Sequence, residues 1–304
     1  DIVARRLKKM FKSGFAAVIG RPNVGKSTLL NSLIGKKLLI VSDKPQTTRN
    51  KIHCILNTNQ AQVIFLDTPG IHRPQHKLGE LMVKTTLNAL QEVEVVLFLA
   101  EGFLSPGPGD RYILNLLKKI KTPVFLIINK IDVEVENREE IVKEYQSLFP
   151  FNKTIELSAL EGYNLEELTD AIVSLLPEGP QYYPDDMITD QPERFIISEI
   201  IREKILSLTR EEIPHSVAVG IEEIKKRENK DIVDIRAVIY VERDSQKGIV
   251  IGKKGRILKE VGSLARQDIE NLLGSSVFLD LWVKVKKDWR NRDGLLREFG
   301  YQGE

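Results

Sequence analysis

The sequence of 304 residues has few of the side chains that build disulfide frameworks and metal clusters, with one cysteine and four histidines. A single cysteine excludes an intramolecular disulfide, which fits a reducing compartment. The histidines show no metal-ligand grouping with Cys54. His72 and His76 are four residues apart, but a pair without a third ligand is more typical of a polar surface. Disulfide-stapled modules and cysteine–histidine zinc modules are therefore excluded.

Long apolar runs are also absent, since no stretch approaches the roughly 18 consecutive apolar residues of a membrane span. The chain is 42% hydrophobic and 29% charged, as expected for an ordinary soluble globular protein. Its length allows two domains, each with a core of its own. The net charge is only +2, so any charge excess that matters for binding must be local.

The first strong motif is a glycine loop between a predicted strand and a predicted helix. Residues 15–19 are apolar, and residues 20–27 follow with the spacing Gly-x-x-x-x-Gly-Lys-Ser of a P-loop. Gly20 and Gly25 let backbone N–H groups surround a phosphate chain, and the helix dipole favours an anion there. Lys26 is predicted to reach the β- and γ-phosphates, and the Ser27 hydroxyl to ligate Mg²⁺. The predicted nucleotide contacts are Asn23, Val24, Gly25, Lys26, Ser27 and Thr28.

A second motif, Asp-Thr-Pro-Gly, ends a later apolar run at residues 62–66. Asp67 is predicted to hold Mg²⁺ through its water shell, because an acid at a strand end can lie opposite a P-loop. Gly70 offers an N–H to the γ-phosphate without a side chain in the way. Alone this motif is weak, but after a P-loop at this distance it becomes strong.

Two further motifs select the base. Asn129, Lys130 and Asp132 follow the apolar residues 123–128, and the Asp132 carboxylate can accept hydrogen bonds from N1–H and N2–H₂ of guanine. Adenine lacks that pair of donors, so the unpaired carboxylate would penalise ATP. Asn129 and Lys130 are predicted to brace the base and the P-loop. A strand running into a turn then places Ser158, Ala159 and Leu160 at the site, with the Ala159 N–H facing the guanine carbonyl.

Residues 14–178 thus resemble the GTPase domains related to translation factors. The resemblance implies that Thr48 closes onto Mg²⁺ and the γ-phosphate as switch I, and that residues 70–80 form switch II. Lys26, Thr48 and Gly70 are the predicted catalytic residues, and Ser27, Thr48 and Asp67 the predicted metal ligands. Alternating strands and helices independently predict an α/β domain with a mostly parallel sheet and the ligand at the carboxyl ends of its strands.

One departure from the Ras pattern concerns the attacking water. Ras-type proteins orient it with a glutamine after the Asp-x-x-Gly glycine, but this sequence has Ile71 there. Slow intrinsic hydrolysis is expected, with the water oriented by backbone groups, a partner or a monovalent cation. The resemblance suggests K⁺ as that cation, with Asn23 as a candidate ligand.

The second half reads as a smaller α+β domain. Residues 177–193 contain four prolines and few aliphatic residues, and the predicted division is residues 1–178 (1–13 a basic lead-in), a linker at 179–193 and a second domain at 194–304. The predicted order is helix, strand, strand, helix, helix, strand, which resembles the bacterial, type II KH fold.

A Gly-Lys-Lys-Gly loop inside this domain, just before a helix, is how KH domains clamp a nucleic-acid backbone. Residues 243–292 contain twelve lysines and arginines against six acids, although a solvated basic face is the alternative. Trp282 and Trp289 are read mainly as anchors of a terminal helix, with base stacking by Trp289 as the second reading. The predicted RNA-binding residues are Ile249, Ile251, Gly252, Lys253, Lys254, Gly255, Arg256, Lys286 and Trp289.

Together the two halves resemble the Era family of bacterial GTPases over essentially the whole chain. The resemblance implies a cytoplasmic, monomeric, GTP-hydrolysing switch that binds GTP or GDP with Mg²⁺ and the 3′ end of the small-subunit ribosomal RNA. It also implies a role in small-subunit assembly and a weak peripheral association with the inner membrane. Two alternatives stay open: a GTPase whose second domain docks on protein or membrane, and an ATP-using P-loop kinase, which residues 129–132 disfavour.

Overall fold

The computed structural model describes residues 11–42, 52–67, 78, 81, 90–210, 213–228 and 230–299. It divides into two compact units. The described part of the first covers residues 11–37, 52–67 and 90–190, and that of the second covers residues 38–42, 78, 81, 191–210, 213–228 and 230–299. One of the points at which the chain passes between the units, residues 190 and 191, lies inside the predicted linker.

The first unit contains a six-stranded sheet with the order β2-β3-β1-β4-β5-β6. Only β2 is antiparallel to its neighbour, and all the other pairs are parallel. The strands are β1 (Lys12–Gly20), β2 (Ile52–Asn57), β3 (Ala61–Asp67), β4 (Val95–Glu101), β5 (Val124–Asn129) and β6 (Lys153–Glu156). The described helices are α1 (Lys26–Ile34), α2 (Pro108–Leu117), α3 (Arg138–Leu148) and α4 (Leu165–Leu175). The predicted mostly parallel sheet is confirmed.

The inner strands explain why the predicted motifs converge. Every residue of β3, β4 and β5 is buried, as the continuous apolar runs of a parallel sheet covered on both faces require. Because β1, β3 and β5 run in the same direction, their carboxyl ends meet at one edge of the sheet. Gly20, Asp67 and Asn129 are the last residues of these three strands.

Residues 177–190, here called the strap, are hydrogen-bonded to the first unit. The Ile55 N–H donates to the Ile188 carbonyl at 2.9 Å, along the outer edge of β2. The Gln62 side-chain amide donates to the Tyr183 carbonyl at 2.8 Å. The strap therefore occupies most of the predicted linker, and its hydrogen bonds give it a defined path across β2 and β3.

The second unit has a three-stranded sheet ordered β7-β8-β9, in which β7 and β8 are antiparallel and β8 and β9 parallel. Its elements are α5 (Glu193–Leu208), α6 (Ile213–Ser216), β7 (Ala218–Lys226), β8 (Ile232–Val241), α7 (Asp244–Ile251), α8 (Arg256–Leu273), β9 (Ser276–Val285) and α9 (Asp293–Glu298). α5 packs on α8 and β7, and α8 packs on β9. This order confirms the predicted KH fold.

Candidate functional site

The P-loop backbone requires glycine at position 25. Gly25 has a φ of +100°, in the left-handed region, and it immediately precedes α1. A Cβ added there would lie 2.3 Å from Nδ2 of Asn129, which is closer than any real contact. Because glycine has only a hydrogen in place of that Cβ, the loop and the end of β5 can approach each other closely.

Lys26 is held beneath this loop by backbone carbonyls. Its Nζ donates to the carbonyl of Arg21 at 2.9 Å and to that of Gly20 at 3.2 Å. Burial lowers the pKa of Lys26 to about 8, partly opposed by the nearby Asp67 carboxylate. A buried ammonium whose partners are neutral carbonyls would gain from a negatively charged phosphate placed beside it.

We expect nucleotide binding to take up a proton when the pH exceeds about 8, because phosphate raises the pKa of Lys26 above the value of about 8 in the nucleotide-free protein. GDP affinity should fall by up to about tenfold per pH unit above that pKa. Without nucleotide, the native pKa lies below the unfolded value of 10.5. The free energy of unfolding should therefore rise with pH between these values, by about 3 kcal/mol in all.

Calorimetry of GDP binding without Mg²⁺, in buffers of different ionisation enthalpy, measures this proton uptake. It should be most of a proton near pH 8.5 and close to zero near pH 7. A Lys26→Arg variant stays charged throughout and should lose the uptake at the higher pH. Equal uptake at the two pH values would contradict the assignment to Lys26.

Asn129 joins the two halves of the predicted guanine site. Its Nδ2 donates to the Val24 carbonyl of the P-loop at 2.8 Å, and its Oδ1 accepts the Ala159 N–H at 3.0 Å. The Ala159 N–H, predicted to face the guanine carbonyl, thus donates to a side chain in this structure. Asn129 is 1% exposed, so its role is to hold these backbone segments in place. A side chain with both a donor and an acceptor is needed for that.

Asp132 and Lys130 complete this region. The Ser158 hydroxyl donates to Oδ1 of Asp132 at 2.5 Å, and Asp132 itself is exposed, which leaves carboxylate lone pairs for a base. Lys130 has a φ of +63°, and its Nζ donates to the Asn23 carbonyl at 2.9 Å. The structure thus brings the residues of the P-loop, of the Asn-Lys-x-Asp motif and of the Ser-Ala turn together, whereas the Leu160 side chain is 73% exposed.

Two acids that sequence reasoning missed position this loop. The Glu101 carboxylate accepts hydrogen bonds from Lys130 and from Arg21. Asp110, which is completely buried, accepts from Nε of Arg21 at 2.9 Å. Both acids are distant in sequence from their partners. Of the two, only Glu101 could have been singled out from the sequence, because it is an acid that directly ends an apolar strand.

Ser27 and Asp67 are the described members of the predicted metal set, and the donor chemistry fits Mg²⁺, which prefers hydroxyl and carboxylate oxygen. Asp67 is completely buried at the end of β3, and a cation beside it would offset that burial. A bound Mg²⁺ neutralises charge that develops on the phosphates. Thr48, Gly70 and Ile71 lie outside the described residues, as does the rest of switch II apart from Leu78. K⁺ binding at Asn23 stays a prediction.

The Gly-Lys-Lys-Gly loop of the second unit has the left-handed backbone that its glycines predict. Gly252, Lys254 and Gly255 have φ values of +73°, +55° and +76°. A Cβ on Gly252 would lie 2.7 Å from Cγ1 of Ile257, whereas one on Gly255 would meet open space. The side chains of Lys253, Lys254 and Arg256 are exposed. The loop therefore presents three cations just where α8 begins.

A groove runs from this loop between α8 and β9. Gly255 is the one predicted RNA-binding residue that lines it; Ile249, at 47% exposed, and Lys286 do not. The groove is lined by Gly255, Leu258, Lys259, Gly262, Ser263, Arg266, Val277, Phe278, Leu279 and Leu281. Sequence reasoning predicted this strand but did not assign its residues to the groove, although the aliphatic residues at every second position, Val277, Leu279 and Leu281, indicate one covered face.

The two tryptophans have opposite environments. Trp289 is completely buried, and its Nε1 donates to the Ser216 carbonyl at 2.9 Å. The prediction that Trp289 contacts RNA is therefore wrong, and its alternative role as an anchor is correct. Trp282 is 57% exposed on β9, so it does not anchor the terminal helix.

Helices that could cross a membrane are absent from the described part of the chain.

Comparisons with known proteins agree with both units. The family model described as a 50S ribosome-binding GTPase matches residues 15–130, and the KH domain model matches residues 212–290. GTPase Era of Alkaliphilus metalliredigens is 58% identical over 296 residues, which are 96% of this chain and 99% of the relative. GTPase Era of Carboxydothermus hydrogenoformans is 56% identical over 292 residues, covering 96% and 98%.

Two solved structures match with a TM-score of 0.92 and 45% identity, each over 96% of this chain and 99% of its own. One is Era in complex with MgGDPNP and nucleotides 1506–1542 of 16S ribosomal RNA. The other is a variant of Aquifex aeolicus Era bound to GDP·AlF4⁻. With these relatives, the P-loop and guanine motifs in the first unit and the KH fold in the second, the chain belongs to the Era family of GTPases.

Proposed function

We propose that this GTPase binds GTP with Mg²⁺ in its first unit, binds the 3′ end of 16S ribosomal RNA in its KH groove, and acts in assembly of the small ribosomal subunit. The observation that carries the proposal is the exposed Gly-Lys-Lys-Gly loop at the mouth of the α8–β9 groove. The relative that holds both ligands, at 45% identity over nearly the whole chain, supports the choice of RNA.

The chemistry in the first unit is positioning and charge stabilisation. Lys26 would place its ammonium against the β- and γ-phosphates, where negative charge spreads in the transition state. Asn129 and Lys130 keep the loop and the base region aligned through Val24 and Asn23. Because Ile71 cannot polarise water, hydrolysis without a partner is expected to be slow.

The chemistry in the second unit favours a single-stranded nucleic acid over protein or lipid. Lys253, Lys254 and Arg256 are exposed together, beside a groove that mixes aliphatic residues with Lys259 and Arg266. Cations near such a groove suit phosphates on one side and unstacked bases on the other. A protein partner would not require a backbone-clamping glycine loop.

Replacing both loop lysines should test the phosphate contacts. We expect Lys253→Gln with Lys254→Gln to weaken binding of a fluorescent single strand that copies the 3′ end of 16S RNA by about tenfold or more. Each phosphate contact on a single strand contributes about 0.7 to the slope of log affinity against log salt. The salt slope should therefore become shallower by about 1.4, and anisotropy titrations at several salt concentrations measure it.

The matched control replaces another tandem exposed pair, Lys118→Gln with Lys119→Gln, at the end of α2. It removes the same charge from the first unit and should leave the slope unchanged. An equal loss of RNA affinity in both double variants would show that net charge alone causes the effect. Binding to anionic liposomes, or to purified large subunits in preference to small ones, would favour the alternative partners instead.

A further inference from the structure

Residues 38–42 belong to the second unit although they directly follow the P-loop helix in sequence. Leu38, Leu39 and Ile40 are 4–7% exposed, so this short segment is packed rather than solvated. The Val41 N–H donates to Oε1 of Glu203 on α5 at 3.0 Å. A carboxylate of the KH fold thus holds the backbone that connects α1 to the residues around Thr48.

Glu203 also belongs to a chain of two ion pairs with Lys204 and Asp268, here called the relay. Its Oε2 lies 2.8 Å from Nζ of Lys204, and the same Nζ lies 2.6 Å from Oδ2 of Asp268 on α8. The side chains of Glu203 and Lys204 are 8% and 14% exposed, and that of Asp268 is 27% exposed. Charge-assisted hydrogen bonds at this depth are stronger and less screened than those on an open surface.

The relay ends on the helix that forms one wall of the RNA groove. Arg266 lines the groove, and Asp268 is two residues further along the same helix. Residues two apart on a helix point in different directions, so α8 can face RNA on one side and Lys204 on the other. A shift of α8 on RNA binding would be transmitted directly to Asp268, since the helix is 18 residues long and continuous.

The other end of the relay reaches the nucleotide site through the backbone. α1 begins with Lys26 and Ser27 and ends at Ile34, and three residues separate it from Leu38. On its other side, residue 42 directly precedes the segment that contains Thr48, the predicted switch I residue. Fixing Val41 therefore sets where that segment starts.

We propose that Glu203 is a positioning residue through which RNA in the KH groove changes the rate of GTP hydrolysis, along the path Asp268, Lys204, Glu203 and Val41. The inference rests on the proposed function, because it takes RNA as the ligand of the groove. Glutamate suits this role because one oxygen serves the backbone and the other serves the ammonium. RNA binding and the switch segment then both act on the Glu203 carboxylate, so a change at one end alters the other.

Three variants separate the steps of the relay. Glu203→Ala removes the contacts to Val41 and Lys204. Glu203→Gln keeps an oxygen for Val41 but offers Lys204 no charge. Asp268→Asn weakens the other end at a partly exposed position where folding should be least affected. The matched control is Glu222→Gln, which breaks an exposed ion pair with Lys284 at 2.9 Å elsewhere in the same unit.

The experiment measures GTP turnover with and without the 3′-end RNA strand, together with the RNA Kd, for the full chain and each variant. RNA should stimulate the wild type, and Glu203→Ala should lower that stimulation by about fivefold or more, as expected for a broken allosteric link. Glu203→Gln and Asp268→Asn should show a smaller loss. The RNA Kd should change little, the turnover of each variant without RNA serves as its own baseline, and Glu222→Gln should behave as the wild type.

Hydrogen exchange of the Val41 amide supplies a second readout, in which the change in protection caused by RNA is compared between variants rather than the protection itself. RNA should change its protection in the wild type but not in Asp268→Asn, although Asp268 does not contact Val41. Stimulation that is equal in the wild type and Glu203→Ala, or RNA binding without any stimulation of the wild type, overturns the relay alone. Failure of the wild type to bind the RNA overturns the proposed function and the relay with it.

Discussion

Replacing Asp132 with asparagine should lower the affinity for GDP about a thousandfold or more and raise the affinity for XDP. Guanine presents N1–H and N2–H₂ to this position, and a carboxylate accepts both. An asparagine NH₂ would instead oppose one of these donors, and a site built for a hydrogen bond rejects the wrong partner strongly. Xanthine has a carbonyl in place of the amino group, so it can accept from that NH₂.

Displacement of a fluorescent nucleotide by GDP and by XDP measures the change. Because Ser158 donates to Oδ1 of Asp132, the asparagine oxygen has a partner that orients its NH₂ outward. Asp170→Asn, at an exposed position on α4, is the matched control and should leave both affinities unchanged. An unaltered ratio of GDP to XDP affinity in the Asp132 variant would remove this residue from base recognition. ATP-selective binding by the wild type would reopen the kinase alternative.

Gly25→Ala should abolish nucleotide binding at ordinary concentrations, with a loss of at least about a hundredfold. The new Cβ would lie 2.3 Å from Nδ2 of Asn129, so Asn129 must move and release both Val24 and Ala159. The φ of +100° adds backbone strain. The free energy of unfolding should fall by about 2–4 kcal/mol, from strain and two disrupted buried hydrogen bonds.

Gly35→Ala is the matched control for this change. Gly35 also has a positive φ, +70°, and it caps the other end of α1, but its Cβ would meet nothing within 4 Å. It should cost about 1 kcal/mol of stability and leave GDP affinity intact. Denaturant unfolding and calorimetric titration of the two variants separate strain from contact. Wild-type GDP affinity in Gly25→Ala would show that the loop can reorganise around Asn129.

The sequence alone predicted that the nucleotide motifs meet at one edge of the sheet, because these short motifs lie at strand ends. Gly25, Asn129 and Asp132 lie at those ends, and a parallel sheet brings such ends together whatever the details of packing. The KH fold was also predictable from the order of its elements. Its glycine loop carried a backbone signal that few other residues can supply.

The rest depended on contacts that no local pattern contains. Glu101 and Asp110 reach their partners across the sheet, so spacing could not reveal them. The β9 wall of the groove follows from its parallel register with β8. Trp282 and Trp289 look alike in sequence, yet Trp282 lies on the exposed face of β9 and packing buries Trp289. No pattern in residues 38–42 predicts that they pack with the KH fold.

The strap has a consequence for the independence of the first domain. β2 is the outermost strand of the sheet, and an uncovered edge strand is a template for pairing with other chains. The strap carbonyl of Ile188 already engages Ile55 on that edge, and Thr189 bridges to Cys54. A GTPase fragment cut at residue 178 would bare this edge and become prone to self-association, whereas one that continues to residue 190 would carry its own protection against aggregation.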